Sequence, residues 1–317
     1  MPRILRILVA VVLTAIVLYA ANASDVVRAT VNANVLWLSA AVALVLIDRS
    51  LMAMRWIDLL VALTPGSRPP FSRVLRIFFV SSFVSNFVPS VAADMYRAYA
   101  LARCDVHLAE STASVLMDRV LGVLSMVIVG ACALPFAPDL GVARGLTVAL
   151  FIAFVACAAA GGVVFSERAG AAFLRLINLL PFNVVRRAAE SLTAAVRRYA
   201  RHHGALARVL LMSIAVQVIR VIQAWCLGEA LGLQLPLLIY FAAIPVILLI
   251  MQVPVTINGL GTTQVAFVTL LGAGGADAAR ATALSLLFLA LGLIGTLPGG
   301  IIYAFGDHSE RNRAQPS

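Results

Sequence analysis

The sequence predicts an all-α protein that crosses a membrane several times, and three observations lead to this fold class. Hydrophobic residues make up 62% of the 317 residues and charged residues only 12%, a balance that excludes an ordinary soluble domain. Nearly uncharged stretches of about 20 residues, the length that crosses the hydrocarbon layer, recur along the whole chain. Two apolar stretches are interrupted by polar residues, one in each half of the chain, over 86–97 and 252–264.

Six stretches are long and apolar enough to form full transmembrane helices of about 20 residues each. In chain order they are 4–22, 34–55, 113–136, 145–165, 206–228 and 281–305. The first stretch follows Arg3 and Arg6 and precedes a small-x-small sequence at Ala21 to Ala23, so a cleaved signal peptide is the alternative there. We favour an uncleaved span, because the rest of the chain is itself embedded in the membrane.

Two further regions fit a full span poorly. The run 74–88 supplies only about 15 residues before Pro89, and 237–274 contains two apolar pieces separated at Pro254 to Gly261. Irregular backbone at membrane depth is tolerated only inside protein or along a water-filled cavity. We therefore predict two broken or re-entrant helix hairpins, a pairing typical of transporters with an inverted repeat.

The basic residues indicate the topology. All 24 are arginines, and most lie in short loops beside predicted spans, which fits the positive-inside rule better than a nucleic-acid surface. With the N-terminus inside, the outer loops hold only Arg28, Arg144 and Arg280. This asymmetry requires the 74–103 region to enter the membrane from the cytoplasmic side and to leave it on the same side. We expect a multi-pass protein of a bacterial-type inner membrane with both termini in the cytoplasm.

The chain is predicted to be one integral membrane domain, 1–317, with a basic amphipathic cytoplasmic connector at about 166–205 and a short polar tail at 306–317. Within the connector, 184–203 places apolar residues on one side of a helix and arginines around it. Two interpretations stay open. The segment is either an interfacial helix on anionic headgroups or a connector that follows the topology rule.

The first interruption is a candidate anion site. Charged residues inside a membrane are costly and mark functional positions by default. Asp94 and Arg97 are three residues apart, on one side of a helix that begins after Pro89, and Asn86 precedes that helix. A cation beside freed helix N-terminal amides forms a cradle for phosphate. The alternative is a structural Asp–Arg pair that caps a short helix.

Further intramembrane charges extend the candidate site. Asp118 and Arg119 open the span 113–136, and because adjacent helical residues point apart, they should reach different partners. Arg220 has no acidic neighbour in sequence, so a lipid phosphate, a water-filled cavity or a remote carboxylate must satisfy it. Asp48 and Arg49 lie deeper in their span and are expected to face protein. A snorkelling or structural role is the alternative for these charges.

The second interruption is uncharged. Its glycines allow close approach of a ligand or a facing helix, and we interpret it as a gating or packing element. The residues assigned to it are Gln252, Pro254, Asn258, Gly259, Gly261 and Gln264.

The sequence predicts no enzyme, cofactor or metal site. It contains no Ser/His/Asp set, metal-ligand cluster or nucleotide-binding loop, and its four cysteines lack metal-ligand spacing.

Three ordered motifs resemble the lysylphosphatidylglycerol synthase transmembrane-region family, also described as flippase-like membrane proteins. NFVPSVAADMYRA, with Asn86, Pro89, Asp94 and Arg97, is similar to that family's N-x-x-P-x-x-x-G-G-D-x-x-R pattern. The Asp118-Arg119-x-x-Gly122 segment and PVTINGLGTTQVA are similar to its other two motifs. The resemblance covers nearly the whole chain.

The chain departs from the family pattern at two places. Ala92-Ala93 stand where the family usually has Gly-Gly, and Thr263-Gln264 where it often has Arg-Glu. The second interruption thus lacks charges common among relatives. The sequence ends at Ser317, so we expect no soluble aminoacyltransferase domain and no synthesis of lysyl-phosphatidylglycerol.

The resemblance and the buried arginines together predict a lipid translocase. Its cargo would be an anionic phospholipid or a polyprenyl-phosphate-type lipid, with membrane lipids as its main partners. The alternative is a non-transporting accessory subunit of a glycosyltransferase or lipid-modifying system. A membrane-embedded enzyme acting on lipid phosphate is the third and least supported reading.

Overall fold

A computed structural model describes residues 33–63, 70–86, 90–102, 106–133, 135, 143–178, 183–252 and 262–305. Within these residues every long element is a helix. The helices are α1 (Val35–Leu63), α2 (Phe71–Val84), α3 (Ser90–Ala102), α4 (Leu108–Ala133), α5 (Ala143–Phe165), α6 (Glu167–Asn178), α7 (Asn183–Arg198), α8 (His203–Ala230), α9 (Leu237–Gln252), α10 (Thr262–Ala273), α11 (Ala278–Ile294) and α12 (Leu297–Phe305). The predicted all-α polytopic fold is confirmed.

The long apolar helices match most of the predicted spans. Segments 35–63, 108–133, 203–230 and 280–304 are long and apolar enough to cross a membrane. Helix α5, with 23 residues, covers the predicted span 145–165. Its residues 151–155 include side chains that are half exposed or more, as lipid-facing apolar residues are. The predicted span 4–22 lies outside the described residues.

The two predicted interruptions separate short helices. Helices α2 and α3 have 14 and 13 residues, which is about 20 Å each, and neither alone spans ~30 Å of hydrocarbon. Helices α9 and α10, with 16 and 12 residues, flank the second interruption in the same way. The re-entrant path itself stays a prediction, since 87–89 and 253–261 lie outside the described residues.

The last predicted span, 281–305, is not one continuous helix. Helix α11 ends at Ile294, and α12 begins at Leu297 after a turn at Gly295 and Thr296. A Cβ at Gly295 would lie 2.8 Å from Val45 and 3.1 Å from the Arg49 side chain, so the glycine allows α1 to approach closely. Pro298 lies in the first turn of α12, where a backbone N–H would have no partner within the helix, so its absence from proline destabilises the helix little. This third interruption was not predicted, because the apolar run continues through it.

Helix α8 organises the core. It packs along α1 and also against α4 and α9, and α9 packs against α4. The largest buried cluster joins α8, α9 and α11 to α1 and α10, with Tyr240, Ile244 and Phe267 among its fully buried members. A second cluster joins α1, α4 and α7, and a third joins α1 to α2, α3 and α4. The charged residues described below lie between the first and third clusters.

The basic connector forms α6, α7 and a short 3-10 turn at Tyr199–Arg201. Val196 and Tyr199 are buried in the cluster with Leu59 and Leu121, and the Tyr199 hydroxyl donates a 2.9 Å hydrogen bond to the Leu59 carbonyl oxygen. The apolar side of α7 therefore packs on the protein. The two interpretations of 184–203, an interfacial helix and a connector that follows the topology rule, both stay predictions.

Tyr199→Phe should loosen this attachment. The change removes one buried hydrogen bond without altering ring packing, so we expect a loss of about 1 kcal/mol of local stability. Trypsin cleaves after arginine, and Arg197, Arg198 and Arg201 surround the tyrosine. Limited trypsin digestion of the purified protein should therefore cut this segment several times faster in the variant. An unchanged cleavage rate would show that the hydroxyl does not hold α7 in place.

Candidate functional site

The principal site candidate is a cavity of about 300 Å³ between α1, α2, α3, α4, α8, α9 and α11, which we term the charged cavity. About ten molecules of liquid water occupy the same volume, so the cavity is large enough for a phosphate headgroup. Six charged side chains line it, namely Asp48, Arg49, Asp94, Arg97, Arg119 and Arg220. Uncharged polar residues complete the lining, namely Ser81, Ser82, Ser85, Asn86, Gln223 and Thr296.

The charged cavity lies near the middle of the long helices. At 1.5 Å per residue, Asp48 is about 20 Å from the start of α1 and about 22 Å from its end. Arg119 is about 16 Å and about 21 Å from the two ends of α4. A concentration of charge at this depth is the arrangement found at substrate sites in membrane transporters.

The first predicted interruption contributes to the cavity through α3. Asp94 and Arg97 each pair with a residue of α4. Arg119 Nε donates to Asp94 Oδ2, and the two side chains are 34% and 20% exposed, which makes this pair the more accessible edge of the cavity. Arg97 is 9% exposed and reaches Asp118 from the other side.

Arg119 also connects the two interruptions. Its Nη1 donates a 3.1 Å hydrogen bond to Oε1 of Gln252, the last residue of α9. One side chain thus joins the helix after the first interruption to the helix before the second. Asp118 and Arg119 were predicted to reach different partners, and they do: Asp118 pairs with Arg55 and Arg97, and Arg119 with Asp94 and Gln252.

Asp118 lies behind the cavity wall and holds two arginines. It is 5% exposed and accepts a 2.7 Å hydrogen bond from Arg55 Nε, while Arg97 Nη1 lies 3.6 Å from its other oxygen. Arg55 is itself 4% exposed and donates a 3.0 Å hydrogen bond to Ser213. A buried carboxylate compensates buried guanidinium groups that would otherwise be strongly destabilising.

Gly122 leaves room for this arrangement. A Cβ at Gly122 would lie 3.6 and 3.7 Å from the two terminal nitrogens of Arg55. The glycine of the Asp118-Arg119-x-x-Gly122 motif therefore faces the Arg55 guanidinium. Arg55 was not predicted as part of the site, because nothing in its sequence neighbourhood indicates a partner 63 residues away.

Aromatic rings fix the position of Arg97. Its guanidinium carbon lies 5.0 Å from the ring centres of Trp56 and Phe78, within the distance for cation–π attraction. Its Nε donates a 3.3 Å hydrogen bond to Ser81. Trp56 is in turn fixed by a 3.2 Å hydrogen bond to Ser114. The Arg97 head is thus held at the cavity wall by side chains of α1, α2 and α4.

Asp48 is the second carboxylate that two arginines share. Arg220 Nε donates a 3.1 Å hydrogen bond to Asp48 Oδ1, and Arg49 Nε lies 3.9 Å from Oδ2. Asp48 is 1% exposed. Of the possible partners predicted for Arg220, the structure shows a remote carboxylate, that of Asp48, across the contact between α1 and α8. Asp48 and Arg49 do face protein as predicted, but both also line the charged cavity.

Two donors at the cavity wall have no hydrogen-bond acceptor among the residues that the structure describes. Nε of Arg49 and Nε2 of Gln223 are buried and without a hydrogen-bond partner, and both residues line the charged cavity. Gln223 is only 3% exposed. Buried donors normally have a partner, so their presence here points to a ligand rich in acceptors, such as an anion.

The unpredicted interruption between α11 and α12 also reaches the cavity. Asn86 Nδ2 donates a 2.8 Å hydrogen bond to Thr296 Oγ1, and Arg49 Nη2 lies 3.5 Å from the Gly292 carbonyl oxygen. Asn86 is the first residue of the first interruption. The first predicted interruption and the unpredicted one between α11 and α12 are therefore hydrogen-bonded to each other.

The predicted site residues fall into three groups. Five line the charged cavity, namely Asn86, Asp94, Arg97, Arg119 and Arg220. Asp118 and Gln252 touch those residues without lining it, and Gln264, on α10, is not among the lining residues. Five lie outside the described residues, namely Pro89, Pro254, Asn258, Gly259 and Gly261.

Comparison with known proteins identifies the family of the chain. The sequence model of the family described as "Lysylphosphatidylglycerol synthase TM region" matches residues 3–299, nearly the whole chain. A comparison with curated proteins found no match.

Proposed function

This chain belongs to the lysylphosphatidylglycerol synthase transmembrane-region family, and we propose that it moves an anionic lipid between the two leaflets of a membrane. The single observation that carries the proposal is the charged cavity, where four arginines and two aspartates meet near the middle of the long helices α1 and α4. The cargo class is an anionic phospholipid or a polyprenyl-phosphate-type lipid. The membrane is the bacterial-type inner membrane, with both termini in the cytoplasm.

The headgroup and the tails of such a lipid need different surroundings. A phosphate moving through hydrocarbon loses its hydration, and charge-assisted hydrogen bonds from guanidinium groups replace it. Arg97, Arg119 and Arg220 line the cavity and supply these donors in the proposed mechanism. The acyl or prenyl tails stay in the bilayer against the apolar outer surface, for example along α5.

The three helix interruptions provide the path in this proposal. Each lies next to the charged cavity through Asn86, Gln252 or Thr296, where hydrogen bonds between side chains replace continuous helix packing. Arg119, which joins Asp94 to Gln252, would release one of these partners when a phosphate takes its place. Transport of this kind makes and breaks no covalent bond, and we propose that the protein is not an enzyme.

Arg220→Gln should reduce leaflet exchange at least tenfold. The change removes a positive charge from the cavity but keeps a hydrogen-bond donor toward Asp48, so the helix contact is preserved. Loss of one charge-assisted hydrogen bond from a desolvated site is worth about 1.5–3 kcal/mol, or roughly a tenfold to hundredfold effect. The measurement is dithionite quenching of fluorescent anionic lipid in liposomes that contain the purified protein.

Arg175→Gln is the matched control for that experiment. Arg175 is exposed on α6, far along the chain from the cavity residues, and its replacement makes the same change in net charge. It should leave exchange unchanged. If the wild-type protein accelerates exchange of no anionic lipid, transport is rejected and the accessory-subunit role, tested by co-purification with a lipid-modifying or glycosyltransferase partner, takes its place.

A further inference from the structure

We infer that the charged cavity selects a headgroup whose terminal phosphate carries two negative charges, a phosphate monoester or a diphosphate, over a singly charged phosphodiester. The inference rests on the proposed function and names the cargo more narrowly. It follows from how the buried charges of the described residues are paired.

Two of the three carboxylates at the site are each shared by two arginines. Asp48 pairs with Arg220 at 3.1 Å and lies 3.9 Å from Arg49. Asp118 pairs with Arg55 at 2.7 Å and lies 3.6 Å from Arg97. Only Asp94, with Arg119, has a one-to-one partner among these ion pairs.

The ion-paired cluster therefore has five arginines and three aspartates, and its net charge is +2. Arginine stays protonated in proteins, so the excess cannot be removed by deprotonation. Each two-to-one set contributes one unit of excess charge and reaches the cavity wall, the first through Arg49 and Arg220 and the second through Arg97. A buried excess of this kind is costly until an anion compensates it.

A phosphate monoester fits this excess and a phosphodiester does not. Near pH 7 a phosphate monoester carries a charge of about −1.5 to −2 and offers three terminal acceptor oxygens. A phosphodiester carries a single negative charge and only two free oxygens, so it would leave one guanidinium uncompensated. The unpartnered donors of Arg49 and Gln223 add two further positions for acceptor oxygens at the same wall.

The experiment compares lipids of different headgroup charge in one membrane. Liposomes of phosphatidylcholine that contain the full-length protein carry a trace of fluorescent phosphatidate, a phosphate monoester, or of fluorescent phosphatidylglycerol, a phosphodiester. We expect phosphatidate to exchange at least tenfold faster. Arg49→Gln should reduce this preference at least fivefold, whereas Arg49→Lys, which keeps the charge, should retain it. Arg175→Gln should leave the preference unchanged.

A binding measurement separates this inference from the transport proposal. Thermal unfolding of the detergent-solubilised protein is followed by tryptophan fluorescence with added phosphatidate, phosphatidylglycerol or inorganic phosphate. Stabilisation by phosphatidate alone supports a lipid phosphate monoester, and stabilisation by inorganic phosphate as well supports the same charge selectivity for a soluble phosphate. Equal stabilisation by both lipids overturns the inference.

The two proposals fail differently. If phosphatidate binds preferentially but no lipid exchanges faster than in protein-free liposomes, transport is rejected and the charge selectivity stands. If phosphatidylglycerol and phosphatidate exchange equally fast, transport stands and the selectivity is rejected. Because the preference is a ratio measured on one preparation, a poorly folded Arg49→Gln sample does not affect the wild-type result.

Discussion

Replacing Asp118 with asparagine is expected to lower the free energy of unfolding by about 3–5 kcal/mol, the cost of leaving buried charges without a counter-ion. Asp118 is 5% exposed and is the carboxylate partner of both Arg55 and Arg97. The substitution keeps the shape and one acceptor oxygen but raises the net charge of the cluster from +2 to +3. Tryptophan fluorescence during thermal or dodecyl-sulfate unfolding reports the change, because Trp56 lies beside Arg97.

A double variant distinguishes electrostatic from packing effects. Arg55→Gln combined with Asp118→Asn removes one charge of each sign and returns the cluster to its original net charge. Its destabilisation should therefore be smaller than the sum of the two single variants by about 1–3 kcal/mol, the coupling energy of a double-mutant cycle. A double variant as unstable as the sum of the two single variants would show no energetic coupling between Arg55 and Asp118, and the electrostatic account would be rejected.

The charge imbalance links this stability prediction to function. Asp118 pairs with Arg55 and Arg97 but does not line the cavity, so in the proposed mechanism it would affect cargo only through the position of Arg97. An added anion that binds at Arg97 should restore part of the stability that Asp118→Asn removes, because it supplies the lost negative charge. The same variant therefore also probes whether the cavity accepts an anion.

Hydropathy predicted the fold because crossing a membrane depends mainly on composition. Apolar runs of about 20 residues identified α1, α4, α5 and α8, and the arrangement of short helices around Pro89 and Pro254 followed from the polar residues that interrupt two runs. The interruption between α11 and α12 escaped this reasoning. Gly295 and Thr296 barely lower local hydropathy, and only contact with Val45 and Arg49 shows why a glycine stands there.

Individual residues of the candidate site were predicted from the sequence, but the ion pairs between them were not. Charge inside apolar sequence identified Asp94, Arg97, Arg119 and Arg220, all of which line the cavity. The pairing of Arg220 with Asp48 depends on how α8 packs along α1, with 172 residues between the two. No local pattern encodes that register. The excess of arginines over aspartates was likewise hidden, since Arg55 gives no sign in sequence of its contact with Asp118.

Gly299 allows α12 to pack on α2, and Gly299→Ala is expected to cost about 3 kcal/mol or more. A Cβ at this position would meet the Phe79 carbonyl group and come within 3.1 Å of the Val80 nitrogen. Backbone atoms inside a helix cannot move aside as a side chain can, so the two helices must separate. Gly161→Ala on α5 is the matched control, because its Cβ would meet no atom of the described residues within 4 Å.

The two substitutions should change stability in opposite directions. Alanine is a better helix former than glycine by about 1 kcal/mol, so Gly161→Ala should be neutral or slightly stabilising while Gly299→Ala loses most of its folding stability. Separation of α12 from α2 would also strain the 2.8 Å hydrogen bond between Thr296 and Asn86 at the cavity. We therefore expect Gly299→Ala to slow lipid exchange even in the fraction that stays folded. Equal melting temperatures for the two variants would show that α12 does not pack on α2 through this glycine.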